Sequence, residues 1–261
     1  MKKLMLYLFC SFFFFACKQD KPEVKNGKKK NPVIKKDIDI IPISHATAVI
    51  TWNDFVFYLD PTGGAEAFHN QKKADLVLIT DIHEDHFHPK TLQGIGLGNA
   101  KIVGPEAVIS QLPESLNANT QIINNEETIE VEGFKITAVP MYNLREEAKD
   151  FHPKGRGNGY IIEKDGQRLY IAGDTEDIPE MRNLENISIA LIPMNLPYTM
   201  PMEKAADAVL EFEPKKVIPY HYRGENGMQN IEKFKALIHE TNNNIEVVIK
   251  DWYPEEEDNW E

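Results

Sequence analysis

The order of elements along the chain predicts an α/β or α+β domain, with strand-rich halves that carry helices at their ends. Three observations predict it. Short β-rich runs separated by turn residues open the body of the chain. Three well-separated apolar runs end in Asp or His, at Thr80-Asp81, Gly173-Asp174 and Tyr220-His221. Two later segments, 202–212 and 228–241, carry apolar residues at helical spacing, as at Ala205, Ala208, Val209 and Phe212. With 261 residues, no internal repeat and no linker beyond the N-terminal region, the body reads as one domain.

Residues 1–16 begin with Lys2 and Lys3 and continue as a Phe-rich apolar stretch. This is the charged start and short core of a secretory signal, and it is too short for a comfortable membrane span. Its end, Ala16-Cys17, resembles the lipobox of bacterial lipoproteins. That resemblance implies lipidation of Cys17 and a protein held by lipid in the bacterial cell envelope, on the periplasmic face or the cell surface. Cys10 follows Phe9 and fits the motif poorly. Residues 17–36 then read as a lipidated Cys followed by a flexible Lys-rich tether, and 37–261 as the domain proper.

Charge divides at the tether. Ten of the 29 basic residues, but only Asp20 and Glu23 of the 41 acidic ones, precede Asp37, which leaves the body a formal charge of about −20. A nucleic-acid partner, which needs a basic track, is excluded on that ground. Both cysteines, Cys10 and Cys17, lie in the leader. Any metal must therefore be held by His nitrogen and carboxylate oxygen, which excludes Cys-rich structural zinc and points to an open site.

Within the body, 38–43, 47–52 and 55–59 are β-rich runs, the last two joined through Asn53-Asp54 as a hairpin. Asp60-Pro61-Thr62-Gly63-Gly64 breaks the pattern, and 76–80 is a buried strand. Residues 89–97 start a helix at Pro89 and run into a loop, and 105–112 forms a second helix. Further strands are expected at 101–103, 120–123, 128–131 and 134–139, then a hairpin of 160–163 and 168–172 about Lys164-Asp165-Gly166-Gln167. Residues 188–192 form a buried strand, 217–220 and 245–249 close the sheet, and the helices at 202–212 and 228–241 carry core side chains.

The strand at 76–80 leads directly into Asp81-Ile82-His83-Glu84-Asp85-His86, four strong metal-ligand types in six residues. In extended backbone, residues two apart point the same way, so Asp81, His83 and Asp85 can converge while His86 starts the next turn. His152, Asp174 and His221 each stand in a loop or at a strand end, where side chains from distant sequence gather in one cleft. Together these residues resemble the metallo-β-lactamase-fold superfamily of metal-dependent hydrolases, whose signature is His-x-His-x-Asp-His followed by a His, an Asp and a final His. The match falls on Asp81, His83, Asp85, His86, His152, Asp174 and His221 and covers about residues 38–250. Phrases such as Gly173-Asp174-Thr175-Glu176 and Pro219-Tyr220-His221-Tyr222 resemble the compact branch related to ascorbate-phosphate lactonases. Asp81 departs from the pattern, which has His there.

The resemblance implies a four-layer αββα sandwich and two divalent metal ions, zinc first, with manganese or iron as alternatives. It assigns Asp81, His83 and His152 to the first ion, Asp85, His86 and His221 to the second, and Asp174 to both, with Asp85 aiming a metal-bound hydroxide. The expected activity is hydrolysis of a small ester, lactone, amide or phosphodiester. Two other readings stand beside it: a di-iron or manganese oxidoreductase-like site, and a non-catalytic metal- or ligand-binding lipoprotein. His45 and Asp60 are candidates to orient the ligating histidines, against plain turn and loop roles. Lys154, Arg156 and Arg223 are candidates to steer a carboxylate or phosphate, against solvated loop charges. Tyr142, Asn143, Asn195 and Tyr198 are candidates to line the pocket. His88 reads as a solvated helix-start residue, and His69 and His239 as surface residues.

Overall fold

Alternation of buried side chains builds the first sheet. Strands β1 (Ile38–Ser44), β2 (Thr47–Trp52) and β3 (Phe55–Leu59) form an antiparallel meander through two tight turns. At these turns His45 and Asn53 take left-handed backbone, φ 55° and 60°. Strands β4 (Leu76–Leu78), β5 (Lys101–Gly104) and β6 (Thr120–Ile122) then add in parallel, giving the order β1-β2-β3-β4-β5-β6. Ala48, Ile50, Phe57, Leu59, Leu76 and Leu78 pack into the core shared with a second sheet. Their neighbours Val49, Val56, Tyr58, Val77 and Ile79 pack instead with residues of two short helices, α1 (Pro89–Gly94) and α2 (Glu106–Ile109). This two-residue period places the sheet between two apolar layers. The computed structural model describes residues 38–254, so the expected signal segment, the expected lipidation site Cys17 and the expected tether lie outside the described residues.

The second sheet takes strands β7 (Thr128–Val131), β8 (Phe134–Met141), β9 (Gly157–Lys164), β10 (Gln167–Ile171), β11 (Ile189–Pro193) and β12 (Lys216–Tyr220). After a small separate hairpin, β13 (Arg223–Gly224) and β14 (Gly227–Met228), β15 (Glu246–Val247) joins its far edge. The order is β15-β12-β11-β10-β9-β8-β7. Between the sheets, Phe134 meets the rings of Trp52, Phe55 and Phe57 at 5.4, 4.9 and 5.0 Å. Helices α3 (Pro179–Arg182), α4 (Met202–Phe212) and α5 (Ile231–Thr241) follow in the second half. Ala205, Val209 and Phe212 of α4, with Phe234 and Ile238 of α5, are buried in the same core as β10, β11 and β12. Two mixed sheets with helices outside make the four-layer αββα sandwich.

The expected elements are largely present. Several are shorter, with β4 ending at Leu78, α2 spanning Glu106–Ile109 and β15 only Glu246–Val247, and the β13–β14 hairpin is additional. Three further differences have a local cause. Strand β9 begins at Gly157, earlier than 160, because two glycines and an asparagine continue the pairing with β8. Helix α5 begins at Ile231, after Asn230 caps it by accepting from Lys233 N at 2.9 Å, and Met228 belongs to the hairpin. Helix α3 was not anticipated; four residues are too few for a periodic signal.

Strands β3 to β6 run parallel, and so do β10, β11, β12 and β15, so one end of each sheet collects C-terminal strand ends. The two ends are stitched together where Asn158 N donates to Thr80 O at 2.9 Å. Ligand sites of layered α/β folds form at such ends.

Candidate metal centre

Every residue of the signature match comes to this one end. Asp60 leaves β3 in left-handed backbone, φ 43°, and its fully buried carboxylate accepts from Thr80 N at 2.7 Å and Thr80 Oγ1 at 2.6 Å. Its Oδ2 also lies 2.8 Å from His86 Nδ1. With Nδ1–H donating to Asp60, His86 presents the lone pair of Nε2 to the centre. Burial pushes the Asp60 carboxyl up, against the pull of His86.

His221 follows β12, also left-handed at φ 48°. Its Nε2 lies 3.2 Å from His86 Nε2, 3.2 Å from Asp174 Oδ1 and 3.3 Å from Asp85 Oδ2. Asp174 follows Gly173, whose φ of 67° turns the chain and where a Cβ would sit 2.5 Å from Met141 Sδ. Asp174 Oδ2 stands 3.3 Å from His86 Nε2 and 3.2 Å from His152 Nε2. His152 is oriented from behind: its Nδ1 faces the Tyr198 carbonyl at 3.1 Å, and Asn143 Nδ2 donates to that same carbonyl at 2.6 Å.

Charge follows this crowding. Burial would raise the carboxyls of Asp174 and Asp85, yet the neighbouring imidazoles, His221 and His86 at Asp174 and His86 at Asp85, hold both below the usual carboxylate range. Reciprocally, burial would lower His86 and His221, and the carboxylates, Asp174 foremost, raise both. His45 moves the other way: burial, then the nearby His221, lower it to about 4. Its Nδ1 is 2.8 Å from Tyr253 Oη and its Nε2 3.3 Å from Asp85 Oδ2.

Asp81 is fully buried beside this group. Its Oδ2 is 2.8 Å from His83 Nδ1, and Arg156 forks onto it, with Nε 3.1 Å from Oδ1 and Nη2 3.0 Å from Oδ2. Burial would raise the Asp81 carboxyl; His83, then His86 and then Arg156, hold it down. Among the described residues, one donor atom each from Asp85, His86, Asp174 and His221 lie within 4.8 Å of one another, and so do donors from Asp81, His83 and His152. Two of these atoms, His152 Nε2 and Asp174 Oδ1, are buried without a hydrogen-bond partner. Buried nitrogen and carboxylate oxygen that crowd to within 3.2 Å of one another without forming hydrogen bonds suit a divalent cation.

A pocket of about 320 Å³ opens on the centre. His45, Asn195, Tyr198 and Arg223 line it with His83, Asp85, His152 and Asp174, as does Phe151, whose ring is 5.2 Å from that of Tyr198. Lys154 and Tyr142 correct the expectation set for them. They turn away from the pocket to Glu180, which accepts from Lys154 Nζ at 2.6 Å and from Tyr142 Oη at 2.9 Å. Arg156 likewise bonds to Asp81 and Phe151 O and does not line the pocket. Arg223 lies 5.0 Å over the Tyr253 ring. His88 caps α1, with Nδ1 accepting from Thr91 N at 3.3 Å; His69 is exposed, and His239 is half-buried and faces Ile245 O.

Sequence reasoning missed Tyr253, Thr80 and Glu176. Nothing in the short Asp251-Trp252-Tyr253 tail signals a role beside His45. The signal that could have found Thr80 is its place directly before the motif, two residues beyond the end of β4. Glu176, buried, accepts from Leu144 N at 3.0 Å and Arg145 Nε at 2.7 Å and so ties down the loop that carries His152.

Comparison with known proteins agrees with this geometry. The family described as Beta-lactamase superfamily domain matches residues 39–221. A UPF0173 metal-dependent hydrolase of Thermococcus onnurineus is 34% identical over 186 residues, 69% of this chain and 82% of the relative. A Parabacteroides distasonis crystal structure, provisionally named a metal-dependent hydrolase, is 36% identical with a TM-score of 0.74, covering 83% of this chain and 94% of that one. Igni18, a metallo hydrolase of Ignicoccus hospitalis, shares the fold at 24% identity and a TM-score of 0.69.

Proposed function

As a member of the β-lactamase superfamily, beside the UPF0173 metal-dependent hydrolases, the chain is a metal-dependent hydrolase, and we propose that it uses a dinuclear centre to cleave a small ester, lactone, amide or phosphodiester. The observation that carries this reading is the pair of donor groups meeting at Asp174, with His152 Nε2 and Asp174 Oδ1 buried, without a hydrogen bond, and each 3.2 Å from another ligand-type atom. Asp85, His86, Asp174 and His221 would hold one ion, and Asp81, His83 and His152, with Asp174, the other. Zinc suits this all-nitrogen and oxygen set, with manganese or iron as alternatives. When bound, the ions lower the pKa of a water toward neutrality and polarise the oxygen of the scissile bond.

The chain's own residues do the rest. Asp85, with 41% of its side chain exposed, reaches into the pocket, where its carboxylate can accept a hydrogen bond from the attacking water and aim it. Neutral His45 steadies that carboxylate through Nε2, and its own tautomer is set by Tyr253 Oη at Nδ1. Asp60 and the Tyr198 carbonyl aim His86 and His152. Phe151 and Tyr198 offer an apolar wall at the mouth, which suits a substrate with an acyl or aryl portion.

Exposure of Asp85 to the pocket weighs against a purely structural metal site, since such sites are closed. Ala16-Cys17 supports envelope attachment through a lipidated Cys17, and among the described residues no helix is long and apolar enough to cross a membrane.

The test combines elemental analysis of protein purified without chelator with turnover of chromogenic esters, lactones, amides and phosphodiesters. Two equivalents of metal and chelator-sensitive hydrolysis of one class are expected. Absence of stoichiometric metal would overturn the reading.

A further inference from the structure

Resting on the dinuclear reading, we propose that the Arg156 guanidinium is a built-in counter-charge of the Asp81 half-site, so that this half-site takes up its ion far more weakly than the Asp85 half-site. Arg156 thereby sets the metal affinity of one half of the centre without contacting the other.

The asymmetry lies in how the donors are already engaged. Arg156 covers both Asp81 oxygens, at 3.1 and 3.0 Å, and Asp81 Oδ2 also faces His83 Nδ1 at 2.8 Å. Its Nη2 is 3.4 Å from His83 Nε2, so both ring nitrogens of His83 have neighbours as well. Of the three donor residues in this half-site, His152 alone has a donor atom, Nε2, that makes no hydrogen bond; it faces Asp174 Oδ2 at 3.2 Å. In the other half-site, the ring nitrogens within 4 Å of the Asp85 and Asp174 carboxylates belong to His45, His86, His152 and His221, and a neutral imidazole offers a lone pair to a cation and does not repel it. A guanidinium cannot do this: it stays charged and offers only donors, so it competes with a cation for Asp81 and repels it.

Arg156 is also held in place. Only 19% of its side chain is exposed, and Nη2 donates to Phe151 O as well. The next residue, Gly157, lets the start of β9 run against the metal-binding motif: a Cβ there would meet Thr80 O at 3.0 Å and Asp81 Oδ1 at 3.2 Å. Asn158 N, bonded to Thr80 O at 2.9 Å, fixes that approach. The arginine is therefore built into the second sheet against a carboxylate of the first. For the Asp81 half-site to fill, the fork must release at least one carboxylate oxygen, a cost absent from the other half-site.

The test is calorimetric titration of the chelator-stripped full chain with Zn²⁺, with bound metal counted by elemental analysis. Wild type is expected to take two equivalents in separate steps, the second on the order of ten- to a hundred-fold weaker. Arg156→Gln should strengthen the weaker step by roughly ten-fold or more and leave the tighter step nearly unchanged. Arg156→Lys keeps the charge, loses the fork and should fall between them, which provides a second reading if the glutamine variant folds poorly. Two equivalents of equal affinity in wild type, or a weaker step unmoved in the variants, would overturn this inference while leaving the dinuclear reading intact. A chain that takes up neither zinc nor manganese nor iron overturns both.

Discussion

Asp60 shows how much one buried side chain does in this centre. Its two oxygens serve Thr80 N, Thr80 Oγ1 and His86 Nδ1 together, from left-handed backbone at the end of β3. Asp60→Asn supplies one acceptor oxygen where three donors converge, so a buried donor loses its partner. The expected results are a loss of about 1–3 kcal/mol in denaturant unfolding and roughly ten- to a hundred-fold weaker zinc binding. Asp85→Asn should behave oppositely. The residue is partly exposed and bonded chiefly through one oxygen, so the fold should survive while kcat falls by about 10²-fold or more. A variant with wild-type turnover and metal content would show that Asp85 does not aim the attacking water. The ligand candidates were legible at this scale because six adjacent residues spell out four of them. Asp81 was legible as a departure from the family pattern but not as an ion pair, since Arg156 lies 75 residues away. A carboxylate where the pattern has a neutral imidazole brings a negative charge with it, and the structure supplies the positive one.

Among the elements, strand β9 decides how the sheets meet. Its first three residues, Gly157-Asn158-Gly159, were unreadable as a strand because glycine and asparagine carry little β-propensity. Their value lies in what they omit. A Cβ on Gly159 would stand 2.7 Å from Ala172 O and 2.9 Å from Ile171 O, both backbone atoms of the neighbouring strand's end. Gly159→Ala should therefore cost about 1–3 kcal/mol through forced backbone displacement. It should also weaken metal binding, because Ala172 leads directly into Gly173-Asp174. Unchanged thermal unfolding of this variant would show that the two strands separate more easily than their packing indicates. Elsewhere the elements followed their patterns: β2, β3 and α4 match the expected limits because alternation and helical spacing both reflect one buried face. Helix α5 started later than expected because a cap residue outweighs periodicity at a helix boundary.

For the whole molecule, pattern alone reached α/β or α+β, and the four layers came from the resemblance, because pairing order between distant strands leaves no local trace. The donors are divided between the layers. Asp81, His83, Asp85 and His86 follow a strand of the first sheet, whereas His152, Asp174 and His221 lie in segments that follow strands of the second. An ion bound by both sets joins the two sheets across their shared core, and the unfolded chain has no such arrangement. Stability should then track free metal, gaining about 2.7 kcal/mol when the ion stands at a hundred times its dissociation constant. Melting curves recorded along a zinc series should shift upward together, and a melting point indifferent to zinc would place the ions outside the fold's cooperative unit. The apolar interior already couples the sheets without any ion, through Phe134 set among Trp52, Phe55 and Phe57. Metal therefore acts on a structure that stands by itself: starvation for it would leave the two halves assembled but more loosely hinged at the active end, and a protease would find that end first.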